Sequence, residues 1–493
     1  MAYFLYNINS MKRIFRISNL KYVVAFLIPL IFVMLINQAL DNDSWVVLAG
    51  GRHIINNGVY YTDVLSMHEG LEMVEQNYGF SVIFWLIYST FGSAGIYIGM
   101  LLLNLVVCWL IYKIAMLISN KNVNLSLLVM MTTNMILALG FVTTRAQMID
   151  YVIFLTLIYI LELYIKTGKT KPLWFILILS LLQINLHASM WWVLMITIVV
   201  YVIDSIKAPK IHLQGYKTKP LIWVAFASFI VGLINPYGIK MIMFIFEAYG
   251  DPTMENLVIE LHSFKFSSFF EALLYIVMVL VIMICIFGKR KTRMRWLLMF
   301  FGFLALGLNT IKGMSQFILV MFLPLVFVCS NVRIEKLIDA EISRKAIVFW
   351  CGVLAICVFA TECVSVIPNI KNGPSDVMIE VMDLIDERNA KNGKTEGNIY
   401  VGYNNGGYVE FRGYRAYIDS RGGVFSERGN KKADILKEYA DLRDKKIEPD
   451  EFLDKYDFDY VIATEYDGGI YEINEDKYDL IYENEKIKLF EVK

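Results

Sequence analysis

The stretch YVVAFLIPLIFVMLINQALDNDSW, residues 22–45, decides the fold. Its first part, residues 22–40, is an apolar run, and about 20 apolar residues are enough to cross a bilayer. Asp41 and Asp43 follow directly and open a polar loop that continues to about Gly79. Because a carboxylate at a membrane surface is costly to desolvate, it is more often functional or capping than accidental. We therefore predict a lipid-embedded scaffold that serves this acidic loop.

Further apolar runs follow along the 493-residue chain, which is 57% hydrophobic, whereas a soluble domain is about half apolar. By the same length rule, the runs predict a polytopic α-helical membrane protein with about eleven transmembrane helices. The runs lie near residues 22–40, 94–118, 123–141, 148–165, 172–184, 188–206, 220–235, 269–287, 296–309, 314–330 and 346–364. The shorter amphipathic stretch 77–92 predicts an interfacial helix before the second span.

The distribution of basic residues predicts the topology. Lys12, Arg13, Arg16 and Lys21 precede the first run, which is typical of an N-terminus on the inner side. The segments then assigned to the inner side carry 22 Lys and Arg residues, whereas the short outer loops carry five. We expect a multi-pass protein of the cytoplasmic (cell) membrane, with the loop 41–79 and the C-terminal region on the outer side.

Beyond Pro368 the pattern changes to that of a soluble α/β domain, so we predict a transmembrane domain over 1–368 and an extracytoplasmic domain over 369–493. From Ile370 onward there are 19 Lys and Arg against 28 Asp and Glu. This acidic balance argues against nucleic acid binding, which needs a basic face. The predicted helices cover 374–389 and 431–444, and the predicted strands cover 399–401, 408–411, 416–418, 458–463, 480–482 and 487–490.

Asp41, Asp43 and Asp63 are the candidate catalytic residues. A carboxylate in an outer loop can act as general base for an acceptor hydroxyl, with a contribution of about 10²–10⁴ in rate. One alternative is that Asp43 or Ser44 only caps a helix that begins at Trp45. Asp63, further along the loop, either orients the acceptor or forms an Asx turn.

No motif with metal-ligand spacing is present, and all six cysteines lie in or at the edge of apolar runs. Neither a zinc site nor a disulfide framework is therefore expected. The pair Asp41 and Asp43 can also bind a divalent cation, which stays open as an alternative although no third ligand is obvious.

Three cationic residues at predicted outer span ends are candidate phosphate-binding residues. The planar guanidinium of Arg145 suits a phosphate, with lipid headgroup contact as the alternative. His187 lies between two apolar runs, where a packed interior histidine is the alternative. Lys312 can pair with a lipid phosphate. In the C-terminal region, Asp419 and Arg421 indicate a local ion pair with a structural role.

Carboxylates beside such cations suit one chemistry well. An acceptor hydroxyl attacks a sugar that is carried on a lipid phosphate, the base takes the proton, and the cations stabilise the charge that develops on the leaving phosphate.

Several short motifs stand in a fixed order along the chain. They are Asp41-Asn42-Asp43-Ser44-Trp45 with Gly51, Thr62-Asp63-Val64-Leu65-Ser66, Arg145-Ala146-Gln147, Asn185-Leu186-His187, Asn235-Pro236-Tyr237-Gly238, Glu260 and Ile418-Asp419-Ser420-Arg421. In these motifs the chain resembles the GT-C superfamily of membrane glycosyltransferases, and more narrowly a bacterial branch of polytopic GT-C-like proteins.

The resemblance implies an inverting transferase that uses a polyprenyl-phosphate-linked sugar. Asp43 would be the base, supported by Asp41 or Asp63. Arg145 and His187 would bind the lipid phosphate, and Lys312 and Glu260 are further candidate binding residues. The acceptor would be a glycan, a lipid or a protein.

The sequence also departs from the family pattern. Val47 and Ala49 stand where a polar or basic pair is expected, and Asn77 stands where a glutamate is usual. The rival interpretations are an inactive relative that binds lipid-linked glycan as a scaffold, and a glycan polymerase or flippase. A transporter is expected to carry charges near mid-span, whereas most charges here lie at span ends.

Overall fold

The computed structural model describes residues 17–36, 39–206, 216–248, 251–263, 292–331, 375–464 and 477–493, with short pieces within 275–286 and 352–372 and at residue 473. Up to residue 331, the described chain is a helical bundle. Its helices are α1 (Ile17–Ile36), α2 (Asn42–Asn57), α3 (Tyr78–Ile118), α4 (Val123–Ala138), α5 (Gln147–Thr167), α6 (Phe175–Leu186), α7 (Trp191–Ser205), α8 (Thr218–Gly232), α9 (Ile239–Ala248), α10 (Pro252–Leu257), α11 (Met294–Asn309) and α12 (Ile311–Val328). Short 3-10 helices lie at Lys171–Trp174, Ala188–Met190, Ile259–Leu261 and Cys329–Asn331.

Several of these helices are apolar enough to lie in a membrane. In the described part of the chain, four are also long enough to cross one: Tyr78–Ile118, Gln147–Thr167, Ala188–Ser205 and Ile311–Asn331. Shorter apolar helices are Leu20–Ile36, Val123–Ala138, Lys171–Leu186, Thr218–Gly232 and Met294–Asn309. Together they coincide with nine of the eleven apolar runs, and they indicate a membrane protein.

The runs 269–287 and 346–364 lie mostly outside the described residues, so the number of eleven spans stays a prediction. The same holds for the side of the membrane on which each loop lies.

The long helix α3 is broken at Gly92. Its φ of +62° and ψ of −160° are not helical, and only glycine adopts such a backbone conformation without strain. The break falls where the sequence predicted the boundary between a short amphipathic helix and a span. The segment before it carries exposed apolar residues, among them Leu86 and Phe91.

The C-terminal region is an α/β unit. Its five strands are β3 (Asn398–Tyr400), β4 (Arg415–Ala416), β5 (Tyr460–Thr464), β6 (Tyr478–Glu483) and β7 (Ile487–Val492). They form one sheet in the order β4-β3-β5-β7-β6, which is parallel from β4 to β5 and antiparallel from β5 to β6. The helices are α13 (Asp376–Asn392), α14 (Gly406–Arg412), α15 (Gly422–Phe425), α16 (Glu427–Asn430), α17 (Ile435–Arg443) and α18 (Pro449–Asp454).

One predicted element of this region was wrong. Residues 408–411 were expected to form a strand, but they lie in helix α14. The helix ends at Gly413, whose φ of +100° permits the left-handed cap. Tyr408, Val409 and Glu410 are all buried, so the short apolar pattern reflects a helix enclosed on several sides rather than a strand.

The C-terminal unit packs on the acidic loop through α14 and α2. Trp45 lies 5.1 Å from Tyr408 and 4.7 Å from Phe411 between ring centroids. A Cβ on Gly407 would stand 3.0 Å from the Cβ and amide nitrogen of Val46, so glycine allows the two helices to approach this closely. A two-residue parallel pair, β1 (Ala39–Leu40) with β2 (Lys371–Asn372), joins the same regions.

Candidate active site

A cavity of about 460 Å³ lies where the helical bundle, the acidic loop and the C-terminal unit meet. Five residues predicted from the sequence line it: Asp43, Arg145, His187, Glu260 and Lys312. They come from five separate parts of the chain, so the fold brings together side chains that are up to 269 positions apart. A concave pocket on which several charged groups converge is the default candidate for a binding or catalytic site.

Asp41 does not line the cavity, but it has two roles beside it. Its Oδ1 accepts hydrogen bonds from the Ser44 amide at 3.0 Å and the Ser44 hydroxyl at 2.7 Å, which makes Asp41 the N-cap of α2. Its Oδ2 accepts from Nε of Arg145. The expected cap at Asp43 or Ser44, with a helix from Trp45, was therefore wrong by two or three residues. As a consequence, Asp43 stands in the first turn without a capping duty.

Arg145 is surrounded by three carboxylates. Its Nε is paired with Asp41, and its Nη1 contacts Glu260 and lies 3.0 Å from Oδ2 of Asp43. The side chains of the four residues keep between 26% and 42% of their exposure. Three formal negative charges therefore share one guanidinium at the cavity wall.

This environment changes the acidity of the central pair. Burial raises the pKa of Asp43, and neighbouring Asp41 raises it further, whereas Arg145 and a hydrogen bond from Ser420 act against them. Burial alone would lower the pKa of Arg145, but Asp43, Asp41 and Glu260 outweigh it and raise that pKa. A carboxylate with a raised pKa is better matched to taking a proton near neutral pH.

A metal site made of protein ligands alone is not found in the described residues: no group of three or more His, Cys, Asp and Glu side chains is arranged to hold an ion. Asp41, Asp43 and Glu260 do converge, but on the guanidinium of Arg145. The divalent cation that the sequence left open for Asp41 and Asp43 stays a prediction.

Asp63 lies elsewhere. Its Oδ1 accepts from the Leu65 amide at 3.4 Å, as the expected Asx turn requires. Its Oδ2 accepts from the Ser66 amide at 3.0 Å, and its Oδ1 lies 2.8 Å from Nη1 of Arg421. Its side chain is fully buried and does not line the cavity. A direct contact of Asp63 with an acceptor is thus not provided by this arrangement. Any effect on the site has to act through Arg421, which does line the cavity.

Arg421 is the centre of a second cluster. It is paired with Asp419 at 2.5 Å, with Asp63, and with Glu410 at 3.4 Å. Burial raises the pKa of Glu410 well above its ordinary range, and Asp419 raises it further. In contrast, the pKa of Asp63 is lowered, because Arg421 and Ser66 outweigh the effect of burial. The predicted Asp419–Arg421 pair is therefore one part of a larger network.

His187 lies in the cavity wall with its ring nitrogens occupied. Nδ1 is 2.5 Å from Oδ2 of Asp150, and Nε2 is 2.9 Å from the Ser189 hydroxyl. Asp150 was not singled out from the sequence, although a signal existed. It is an ionisable residue inside the apolar run 148–165, and such residues are functional candidates by default.

Other cavity residues were not predicted from the sequence as part of the site. The C-terminal unit contributes a wall made of Tyr403, Asn404, Ser420, Arg421, Gly422, Gly423 and Val424. Glu75 lines the cavity as well. It accepts from the Tyr60 hydroxyl at 2.9 Å, and burial raises its pKa. It stands two positions before Asn77, which also lines the cavity and occupies the position where a glutamate was expected.

The comparisons with known proteins concern the fold. No protein-family model matches the chain, and no curated protein matches it. The structure is similar to that of the Archaeoglobus fulgidus oligosaccharyltransferase in its apo form, with a TM-score of 0.61, 10% identity and coverage of 92% of this chain and 70% of that chain. The same archaeal enzyme tethered to an acceptor peptide containing the NVT sequon gives a TM-score of 0.55 at 10% identity, covering 90% and 69%.

The chain has the fold of this archaeal enzyme. Oligosaccharyltransferase is a GT-C fold glycosyltransferase, so the likeness agrees with the GT-C resemblance at the level of fold. At 10% identity it carries no information on which residues act or on what they bind.

Proposed function

We propose that this protein is an integral-membrane glycosyltransferase that moves a sugar from a polyprenyl-phosphate donor to an acceptor at the outer face of the cytoplasmic membrane. One observation carries the proposal: Asp43, Arg145, Glu260, His187 and Lys312 line a single cavity. Both signs of charge that glycosyl transfer from a phosphate requires are therefore present in one place, on a fold shared with a known transferase.

The reaction follows from these charges. Asp43 takes the proton of an acceptor hydroxyl while the hydroxyl oxygen attacks the anomeric carbon of the sugar. The bond between this carbon and the phosphate oxygen breaks, and the phosphate leaves with the electron pair. Attack on the face opposite the leaving group inverts the configuration. Positive groups near the leaving oxygens stabilise the charge that develops there.

The two sides of the cavity suggest where each substrate lies. His187 and Lys312 lie on the helical bundle, so we assign the lipid phosphate to that side. The C-terminal wall with Tyr403, Asn404 and Ser420 is mostly uncharged and rich in hydrogen-bonding groups, and we assign the acceptor to it. Ser420 also contacts Asp43, which places the assigned acceptor side next to the base. A glycan, a lipid and a peptide remain the candidate acceptor classes.

The test uses the full-length protein in detergent with radiolabelled polyprenyl-phosphate hexoses as donor probes and release of polyprenyl phosphate as readout. We expect Asp43→Asn to lower turnover by about 10²–10⁴, since an amide cannot take the proton. Glu72→Gln serves as the control, because Glu72 lies on the same loop, is exposed and paired with Lys240, and does not line the cavity. Full turnover by Asp43→Asn would show that the base is misassigned.

A second candidate is a binding protein without transfer activity, and one observation favours it. Asp41, Asp43 and Glu260 are all engaged with Arg145, so the candidate base is neutralised in this arrangement. The same assay separates the two candidates. If the wild-type protein binds the lipid-linked sugar but releases no polyprenyl phosphate with any acceptor class, the scaffold interpretation holds.

A further inference from the structure

Four buried polar residues form a chain of hydrogen bonds behind one wall of the cavity. Gln183 donates to Oδ1 of Asp150 at 2.7 Å, Oδ2 of Asp150 lies 2.5 Å from Nδ1 of His187, and Nε2 of His187 lies 2.9 Å from the Ser189 hydroxyl. We call these residues, Gln183, Asp150, His187 and Ser189, the His187 relay. All four are at most 5% exposed.

Gln183 makes the relay rigid at its far end. The same amide nitrogen also donates to the backbone carbonyl of His187 at 2.9 Å. It therefore links the carboxylate to the backbone of the residue whose ring that carboxylate holds. His187 itself is the C-cap that follows Leu186, the last residue of α6, with φ −159° and ψ 87°, and the 3-10 turn Ala188–Met190 follows. Its ring is held by side chains rather than by a regular helix.

The relay contains a serine, a histidine and an aspartate, but it is not arranged as a nucleophile. Ser189 is 4% exposed and does not line the cavity, and the same is true of Asp150. Of the relay, only His187 reaches the cavity wall. A nucleophilic hydroxyl has to meet the substrate, so the relay acts through the imidazole.

The hydrogen-bond partners of the ring determine which nitrogen carries the hydrogen that faces Asp150. An ionised carboxylate only accepts, so the hydrogen of the Asp150–His187 bond lies on Nδ1. Nε2 then either accepts from Ser189 or donates to it, because a hydroxyl can do both. Both N–H groups of an imidazolium would thus have an acceptor, and neither would be left unpaired in a buried place.

We propose that Asp150 is a positioning residue that holds His187 with its hydrogen on Nδ1 and its ring in the cavity wall. This inference rests on the proposed function, in which His187 faces the lipid phosphate. The other charged residues that line the cavity with His187 are Asp43, Glu75, Arg145, Glu260, Lys312 and Arg421, and the titratable Tyr403 lines it as well. Among the described contacts of the ring, only the carboxylate of Asp150 is ionic.

The variant Asp150→Asn makes the proposal testable without changing the shape of the side chain. Gln183 donates to the position of Oδ1, so the asparagine oxygen is held there and its NH₂ group faces His187. An NH₂ group donates, so Nδ1 has to accept and its hydrogen moves to Nε2. The variant therefore reverses the tautomer of the neutral ring.

The experiment is ¹⁵N NMR of the full-length protein with ¹⁵N-labelled histidine rings, in detergent at alkaline pH, with His187→Gln to assign the signal. We expect Nδ1 of His187 to carry hydrogen in the wild-type protein and to lose it in Asp150→Asn. Glu162→Gln is the matched control, because Glu162 lies on the same helix and its side chain is equally buried, at 5%. It should leave the His187 signals unchanged.

The proposal is overturned if Nδ1 keeps its hydrogen in Asp150→Asn, or if Glu162→Gln moves the His187 signals as far as Asp150→Asn does. A second measurement uses farnesyl phosphate as the probe and compares its dissociation constant between variants. We expect at least tenfold weaker binding for Asp150→Asn than for Glu162→Gln, and equal weakening counts against positioning. If no variant or wild-type protein binds the probe, the proposed function fails at its phosphate side, and the tautomer still decides the positioning role.

Discussion

Two arginines of this protein are each surrounded by three carboxylates, but in different environments. Around Arg145, the side chains of Asp41, Asp43 and Glu260 keep 26%, 38% and 42% of their exposure. Around Arg421, the three carboxylates are fully buried and the arginine is 12% exposed. The carboxylates are therefore partly exposed around Arg145 and enclosed around Arg421, although Arg421 itself also lines the cavity.

This difference in exposure indicates that one cluster contributes to stability and the other to reactivity. A buried ion cluster costs desolvation, and removing one partner strands the remaining charge. A partly exposed cluster loses little when one member is removed, because water takes over. We infer that the Arg421 cluster holds the acidic loop and the C-terminal unit together, whereas the Arg145 cluster is free to exchange partners during a reaction.

The largest expected effect is on folding. Arg421→Met leaves Asp63 and Asp419 without their counterion, so we expect a loss of about 3–5 kcal/mol in the free energy of unfolding. Thermal unfolding in detergent measures it, with Arg421→Lys as the control that keeps the charge and should recover part of the loss. A melting temperature for Arg421→Met within one degree of the wild type would show that the cluster does not join the two regions.

The next effect is on activity. Arg145 lowers the pKa of Asp43, so Arg145→Gln raises that pKa and leaves more of the base protonated at neutral pH. We expect turnover to fall and its acidic limb to move to higher pH, while the melting temperature changes much less than in Arg421→Met. A pH profile of polyprenyl phosphate release checks this, and Arg145→Lys should keep the limb near its wild-type position. If the acidic limb of the pH profile does not move in Arg145→Gln, Arg145 does not control the pKa of the catalytic base.

The third effect concerns Glu410 and shows only as a dependence of stability on pH. Its pKa is raised in the folded state by burial and by Asp419, so its contribution to stability is complete below its ordinary pKa and is lost as pH rises through the raised value. The slope approaches about 1.4 kcal/mol per pH unit for one proton. We expect Glu410→Gln, which cannot ionise, to lose less stability than the wild type as the pH rises above the ordinary pKa of a glutamate. Parallel unfolding curves over this range would contradict the assignment.

The sequence was informative where one rule dominates. Bilayer thickness sets the length of an apolar helix, so nine helices follow from runs of apolar residues. Asp43, Arg145, His187 and Lys312 were predicted as ionisable residues at the outer ends of predicted spans, and Glu260 was predicted through the family resemblance. Residues 408–411 were misassigned, because a short apolar pattern looks alike in a strand and in an enclosed helix. The grouping around Arg145 could not be derived, since its partners lie 104 and 115 positions away.

The short parallel pair of β1 and β2 has a mechanical consequence. Leu40 lies in register with Asn372 in this pair, and Asp41 is the next residue. The start of the C-terminal unit is thereby joined to the backbone immediately before Asp41. We therefore expect a ligand that moves the C-terminal unit to move Asp41 as well. Such a movement would change the ion pair between Asp41 and Arg145.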